Sequence, residues 1–262
     1  MKERIISAII MLIIFIPTLI IGGTVFNLFS LILGNMVLFE ILKNNKFGIS
    51  LKILTHVLTS LIIFINFNQT SIYYTFDFRI VLFLLLVYLS LLVFINNQEK
   101  YNYKDAFYLI AITLFVGLSF NNLIHIRYQS LNLLIYLFLI TTISDTFALF
   151  TGKFLGRHKM VPLISPNKTI EGFIGGCLFG TIIPTIFYIF TIGNYKNILI
   201  LILLTLVLSI VGQLGDLIKS SIKRYENIKD FSNLIPGHGG IFDRLDSIIF
   251  VMMTYILISS LF

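Results

Sequence analysis

Four aspartates in the second half of the chain have the type and spacing to do chemistry: Asp145 in TTISDTFALF, Asp216 in GQLGDLIKSSIKR, and Asp243 and Asp246 in GIFDRLDS. Each lies in or beside a long apolar run. An unpaired carboxylate there costs roughly 2.5 to 3.5 kcal/mol on insertion scales, so each should face protein or a polar cavity. Asp243 and Asp246 are three residues apart and share one face if a helix has begun at that point. If the runs bring all four together, like charges repel, and cations are the simplest remedy. Oxygen-only ligands favour a hard ion such as Mg2+, with room for a second cation, because no Cys or His cluster points to zinc. The alternative is that each aspartate caps a helix or pairs with a neighbouring lysine or arginine.

Groups suited to phosphate stand near these acids in the sequence. In DLIKSSIKRYENIKD, a helix continuing past the apolar run would align Asp216, Ser220, Lys223 and Asn227 at steps of four, three and four. Lys223, Arg224 and Lys229 then offer point and forked donors. A solvated basic helix facing lipid headgroups would read the same way. In GKFLGRHKMVPLISPNKTIEGFIGG, Ser165 and Pro166 read as an N-cap and first helical residue, which would aim N–H groups and Lys168 at the acids. Glu171, one turn after Lys168, could orient it or help to bind metal. In IPGHGGIFDR, Pro236 stops the preceding structure, and Gly237, Gly239 and Gly240 permit φ > 0, so successive N–H groups can form an anion-binding nest beside Asp243. A tight turn re-entering the membrane accounts for the same glycines. His238 is either a phosphate donor or a hydrogen-bonding member of the loop, while His56, His125 and His158 read as structural.

The elements that must position these residues are membrane spans. Hydrophobic residues make up 57% of the chain and charged residues 12%, against about 25% charged in an ordinary soluble domain, and the mean hydropathy is +0.97. About 20 apolar residues are needed to cross the hydrocarbon. Nine stretches serve, near residues 5–21, 24–42, 51–66, 80–96, 106–126, 131–150, 172–193, 198–217 and 246–262. With the N-terminus in the cytoplasm, the outer segments hold only Arg79, Arg127 and Lys196 of the 19 lysines and arginines, as the positive-inside rule requires. The expected architecture is therefore all-α and polytopic, with about nine transmembrane helices and a cytoplasmic N-terminus. The net charge of +7 follows from this loop pattern and not from a face for nucleic acid. The single cysteine, Cys177, rules out an intramolecular disulfide. Lys2 and Arg4 precede an apolar run longer than the roughly 7 to 15 residues of a signal-peptide core, so it reads as the first span. Residues 1–262 read as one membrane domain. Its N-terminal helical part ends near 130, and the part over 131–262 carries long polar loops near 152–171 and 218–243, both on the cytoplasmic side.

The stretch SSIKRYENIKDFSNLIPGHGGIFDRLDS resembles the signature of the phosphatidate cytidylyltransferase (CDP-diacylglycerol synthase) family, in which S-x-x-K-R, K-D, P-G-H-G-G and D-R-x-D recur with this spacing. The resemblance runs through Ser220, Lys223, Arg224, Lys229, Asp230, Pro236 to Gly240, Asp243, Arg244 and Asp246. The GQLGD and ISPNKTIEG stretches extend it over about 140–262, while the first 130 residues agree only in hydrophobicity and span count. Two departures are visible: the family usually has an acidic residue where this chain has Lys219, and a small, Tyr-containing stretch where it has Phe147, Ala148 and Leu149.

The resemblance implies that CTP and phosphatidic acid give CDP-diacylglycerol and pyrophosphate, by in-line attack of a phosphatidate oxygen on the α-phosphorus of CTP. It implies a site at the cytoplasmic face of the cell membrane. Catalytic roles fall to Asp216, Asp243, Asp246, Lys223 and Ser220, and Mg2+ to Asp216 and Asp243, supported by Asp246 and Asp145. Substrate contacts fall to Arg224, Lys229, Arg244, His238, Gly239, Gly240, Ser165, Lys168 and Glu171, and a homodimer is left open. An ion-coupled transporter using the intramembrane acids is the rival class, and it predicts two related halves that the sequence does not display. A catalytically silent interaction partner is a third class, set against by the presence of every signature acid. An intramembrane zinc protease is disfavoured because the chain has no H-E-x-x-H helix.

Overall fold

In lipid, an apolar run can satisfy its backbone N–H and C=O groups only within itself or in a closed sheet, so runs of this length become helices. The computed structural model describes residues 2–43, 45–65, 77–95, 97–193, 195, 197–232, 234–235 and 239–259, with the side chains of 2–6, 8 and 259 outside that description. Over the described residues each of the nine expected stretches lies largely on a helix, with 66, 96 and 260–262 outside the described residues: α1 (Lys2–Ile21), α2 (Gly23–Leu42), α3 (Ile49–Phe64), α4 (Arg79–Phe94), α5 (Tyr103–Gln129), α6 (Leu131–Leu155), α7 (Ile170–Thr191), α8 (Ile198–Tyr225) and α9 (Phe242–Ser259). Among them α2, α5, α6, α7 and α8 are long and apolar enough to cross a membrane. α3 and α4 are apolar helices of 16 residues each, and α9 opens on the charged turn FDRLD.

Polar side chains start α6, α7 and α8. Ser130 Oγ accepts from Leu133 N at 3.4 Å, Thr169 Oγ1 from Gly172 N at 3.1 Å, and Asn197 Oδ1 from Leu199 N at 2.8 Å. The expectation that Ser165 caps a helix beginning at Pro166 is therefore corrected. Residues Ser165–Thr169 form a strand, β2, antiparallel to β1 (Lys159–Val161), with Val161 opposite Ser165 and Lys159 opposite Thr169. In a two-stranded hairpin Pro166 can turn its missing N–H outward, and the next available cap is Thr169. The expected alignment of Asn227 with Asp216 is also corrected, because α8 stops at Tyr225. Asn227 takes φ 55, the left-handed conformation that ends helices, and Ile228 N closes back on Lys223 O at 2.9 Å.

Packing divides the chain into one unit of residues 8–125 and another of 126–262 with 1–7. Within the first, Asn121 Nδ2 donates to the carbonyls of Ile62, Ile63 and Ile65, closing the C-terminal end of α3. Tyr88 and Thr113 share a buried hydroxyl pair at 2.9 Å, and Tyr101 donates to Tyr88 O at 2.8 Å. His56 Nδ1 lies 2.8 Å from Asn35 Oδ1.

The second unit is built on the close pairing of α6 with α7. At Gly176 a Cβ would stand 2.7 Å from Ser144 O and 3.0 Å from Ala148 Cβ, so only glycine allows the two backbones this approach. It fixes the stretch of α6 that bears Asp145 against α7. α8 joins the pair through buried Gln213, whose Nε2 donates to Phe173 O at 3.3 Å and lies 3.1 Å from Cys177 Sγ. α9 then packs on α8.

Candidate active site

Where α6 and α8 approach their C-terminal ends and α7 and α9 begin, the second unit holds an open cavity of about 570 Å³, lined on one side by β2. All four aspartates line it. Asp145 comes from α6, Asp216 from α8, and Asp243 and Asp246 from the first turns of α9. Ser165 and Lys168 reach the cavity from β2, and Arg244 from α9. Three helices thus gather acids that are up to 101 positions apart, Asp145 to Asp246, around one space.

Three of the four carboxylates are matched by lysines. Lys168 Nζ stands 2.7 Å from Asp216 Oδ2 and donates to Gln213 O at 3.3 Å. Lys219 Nζ stands 3.2 Å from Asp216 Oδ1, forms an ion pair with Asp246 Oδ2, and donates to Asp243 O at 3.1 Å. Lys223 Nζ donates to Asp243 Oδ1 at 3.0 Å. Pairing with neighbouring lysines, the plainer alternative for the acids, thus describes Asp216, Asp243 and Asp246. Asp145 is exposed to the cavity, within electrostatic reach of Asp216, Asp246, Lys168 and Lys219. Among the described residues no three Asp, Glu, His or Cys side chains are gathered as a ready metal cage.

Asp243 also shapes the glycine turn. Its Oδ2 accepts from Phe231 N at 3.2 Å and Gly240 N at 3.1 Å, which folds the segment after α8 onto the start of α9. A negative group in the first turn of a helix suits the dipole as well. Ile235 and Gly239 exchange backbone hydrogen bonds at 3.0 and 3.1 Å, and Gly239 takes φ 85, the left-handed geometry that glycine accepts without strain. The Gly240 N–H is thus directed to Asp243. His238 lies outside the described residues, with Pro236 and Gly237.

Several expected site residues stand apart from the cavity lining: Ser220, Lys223, Arg224, Lys229, Glu171, Gly239 and Gly240. Arg224 Nε donates to Ile164 O at 3.2 Å and ties the end of α8 to the hairpin turn. Glu171 is held by residues other than Lys168. It accepts from Arg157 N at 3.1 Å and meets His158 Nδ1 at 2.6 Å, which anchors the hairpin to the start of α7. Conversely, Lys153, Asn167 and Gln213 line the cavity without having been placed in the site, and Lys219, singled out in the sequence only as a departure from the family, lines it too. Gln213 and Lys219 sit three residues on either side of Asp216 and share its helix face, a signal the sequence offers. Asn167 reaches the cavity only through the hairpin, which it does not.

The sequence model of the cytidylyltransferase family matches residues 2–262. The phosphatidate cytidylyltransferase of Staphylococcus haemolyticus (strain JCSC1435) is 37% identical over 253 residues, 96% of each chain. That of Staphylococcus saprophyticus is 36% identical over 253 residues, and that of Staphylococcus aureus (strain COL) 39% over 254, again covering 96% of each chain. These matches reach well beyond the signature motifs near 140–262 and take in the N-terminal helices. From its first helix to its last, the chain belongs to the cytidylyltransferase family.

Proposed function

We propose that this protein transfers the cytidylyl group of CTP to phosphatidic acid, giving CDP-diacylglycerol and pyrophosphate. The observation that carries the reading is one cavity, in a helical membrane protein of this family, where four aspartates meet Lys168, Lys219 and Arg244. The relatives are named as transferases, and nothing in them supports an ion-coupled transporter.

In this reaction a phosphatidate oxygen forms a bond to the α-phosphorus of CTP while the bond from that phosphorus to the bridging oxygen of the leaving pyrophosphate breaks. Both reactants are anions, so the protein's main tasks are to hold them in line and to offset their charge. Lys168 is suited to the first contact. Its side chain is 27% exposed, on a hairpin, and an arriving phosphate can draw it from Asp216 without disturbing a helix. Arg244, from the start of α9, offers the cavity a forked donor. Asp243, paired with Lys223, holds Phe231 and Gly240 to the start of α9. Lys229, on the loop after α8, and Arg224, in its last turn, stand outside the cavity lining and would serve phosphates only as they approach.

Asp145 and Asp216 are the least enclosed of the acids, and with Lys168 withdrawn their oxygens fit a hard divalent ion. Mg2+ held there would neutralise triphosphate charge. The distribution of lysine and arginine supports a cavity at the cytoplasmic face of the cell membrane, where soluble CTP meets a phosphate at headgroup depth. Purified in detergent and given labelled CTP, phosphatidic acid and Mg2+, the protein is expected to form CDP-diacylglycerol. Excess EDTA should stop the reaction until Mg2+ is restored. Absence of product across varied lipids and cations would overturn the proposal.

A further inference from the structure

Lys219 is the most enclosed cation of the cavity, with 7% of its side chain exposed, and it projects from α8 toward the start of α9. Its three partners are Asp216 Oδ1, Asp246 Oδ2 and the backbone carbonyl of Asp243. Three oxygens thus surround the ammonium, as many as it has N–H bonds. Asp246 is itself 7% exposed, and its Oδ2 meets Lys219 without any hydrogen bond of ordinary geometry, so that buried charge is answered chiefly by the ion pair. Two carboxylate oxygens and a carbonyl oxygen converging on one point are the donors a hard cation takes. Here a lysine nitrogen occupies the point. Lys168 differs in kind, because it is partly exposed and touches only the cavity side of Asp216.

We infer that Lys219 is a built-in cation standing in for a metal ion between Asp216 and Asp246, leaving only the cavity side of Asp216, with Asp145, to a divalent ion. This rests on the metal-assisted transferase reading above and fixes how many ions that reading allows. Lys219 is thereby a positioning residue: it turns Asp216 toward the cavity and clamps the first turn of α9 to α8. Because the cation is covalently part of α8, this half of the acid cluster stays neutralised whatever the ionic conditions.

The test counts ions with Mn2+ as the probe, read by the paramagnetic resonance of free Mn2+ during titration of the detergent-purified protein. The wild type and K219R should each bind one Mn2+ per chain. K219Q, with both carboxylates released, should bind two, and the added Asp246→Asn change should remove the extra ion. Equal counts in wild type and K219Q would overturn the inference. If K219Q does not fold, D246N alone still decides the matter, since that chain keeps Lys219. An unchanged count supports the inference, and a loss of one ion makes Asp246 a metal ligand and refutes it. A wild type that binds no Mn2+ beside a K219Q chain that binds one would refute the Mg2+ part of the proposed function and leave the assignment of Lys219 standing.

Discussion

Asp243 uses one carboxylate for two tasks: Oδ1 meets Lys223, while Oδ2 receives the N–H groups of Phe231 and Gly240. An asparagine there keeps the shape but loses the charge, and its NH2 group must face one of those donors. D243N is therefore expected to lower kcat/KM by about a hundredfold or more, which is roughly 2.7 kcal/mol of lost transition-state stabilisation. Its helical circular dichroism and elution profile should match the wild type. Near-normal activity would remove Asp243 from the site. The acids were legible in the sequence because a carboxylate beside an apolar run has few tolerable roles. Their partners were less so. Which lysine meets which aspartate depends on the face α8 turns to α9 and on a hairpin that brings Lys168 to Asp216, 48 positions away. Glu171 shows the same limit, since one-turn spacing pointed it at Lys168, while the backbone N–H groups of Arg157 and His158 hold it.

Among the elements, the junction of β2 with α7 carries the most consequence. Thr169 ends the strand, caps the helix through Gly172 N, and follows directly on Lys168. Thr169→Ala should cost about 1 kcal/mol, as loss of an N-cap does, seen as a lower thermal midpoint in detergent. Because the hairpin carries Lys168, the same change should raise the KM for CTP. An unaltered KM would detach the hairpin from substrate binding. Helices were legible because long apolar runs leave the backbone no other partner in lipid. The hairpin was not. Ser165–Pro166 carries a familiar helix-start signal, and pairing with only three residues of β1 overrides it, a tertiary effect without periodicity. The end of α8 was misjudged for a related reason, as Asn227 can adopt the left-handed turn that stops a helix.

At the scale of the molecule, the division of labour between the two halves was legible only on one side. The polar motifs near 140–262 pointed to the family, whereas the N-terminal helices, which agreed with it only in hydrophobicity and span count, needed relatives covering 96% of the chain to be placed with it. Orientation has a direct check, because Cys177 is the only cysteine and is buried. E226C, at the exposed end of α8, should react with an impermeant maleimide only from the cytoplasmic side, and Q129C, at the exposed end of α5, only from the outer side. The reverse pattern would put the cavity on the wrong face for CTP. The central claim, attack on the α-phosphorus of CTP within the aspartate-lined cavity, is tested most directly by the fate of label. With CTP labelled at either the α or the γ phosphorus, the account predicts α-label in the lipid product, γ-label in pyrophosphate, and neither transfer in D216N. γ-Label in the lipid, or full transfer by D216N, would contradict it.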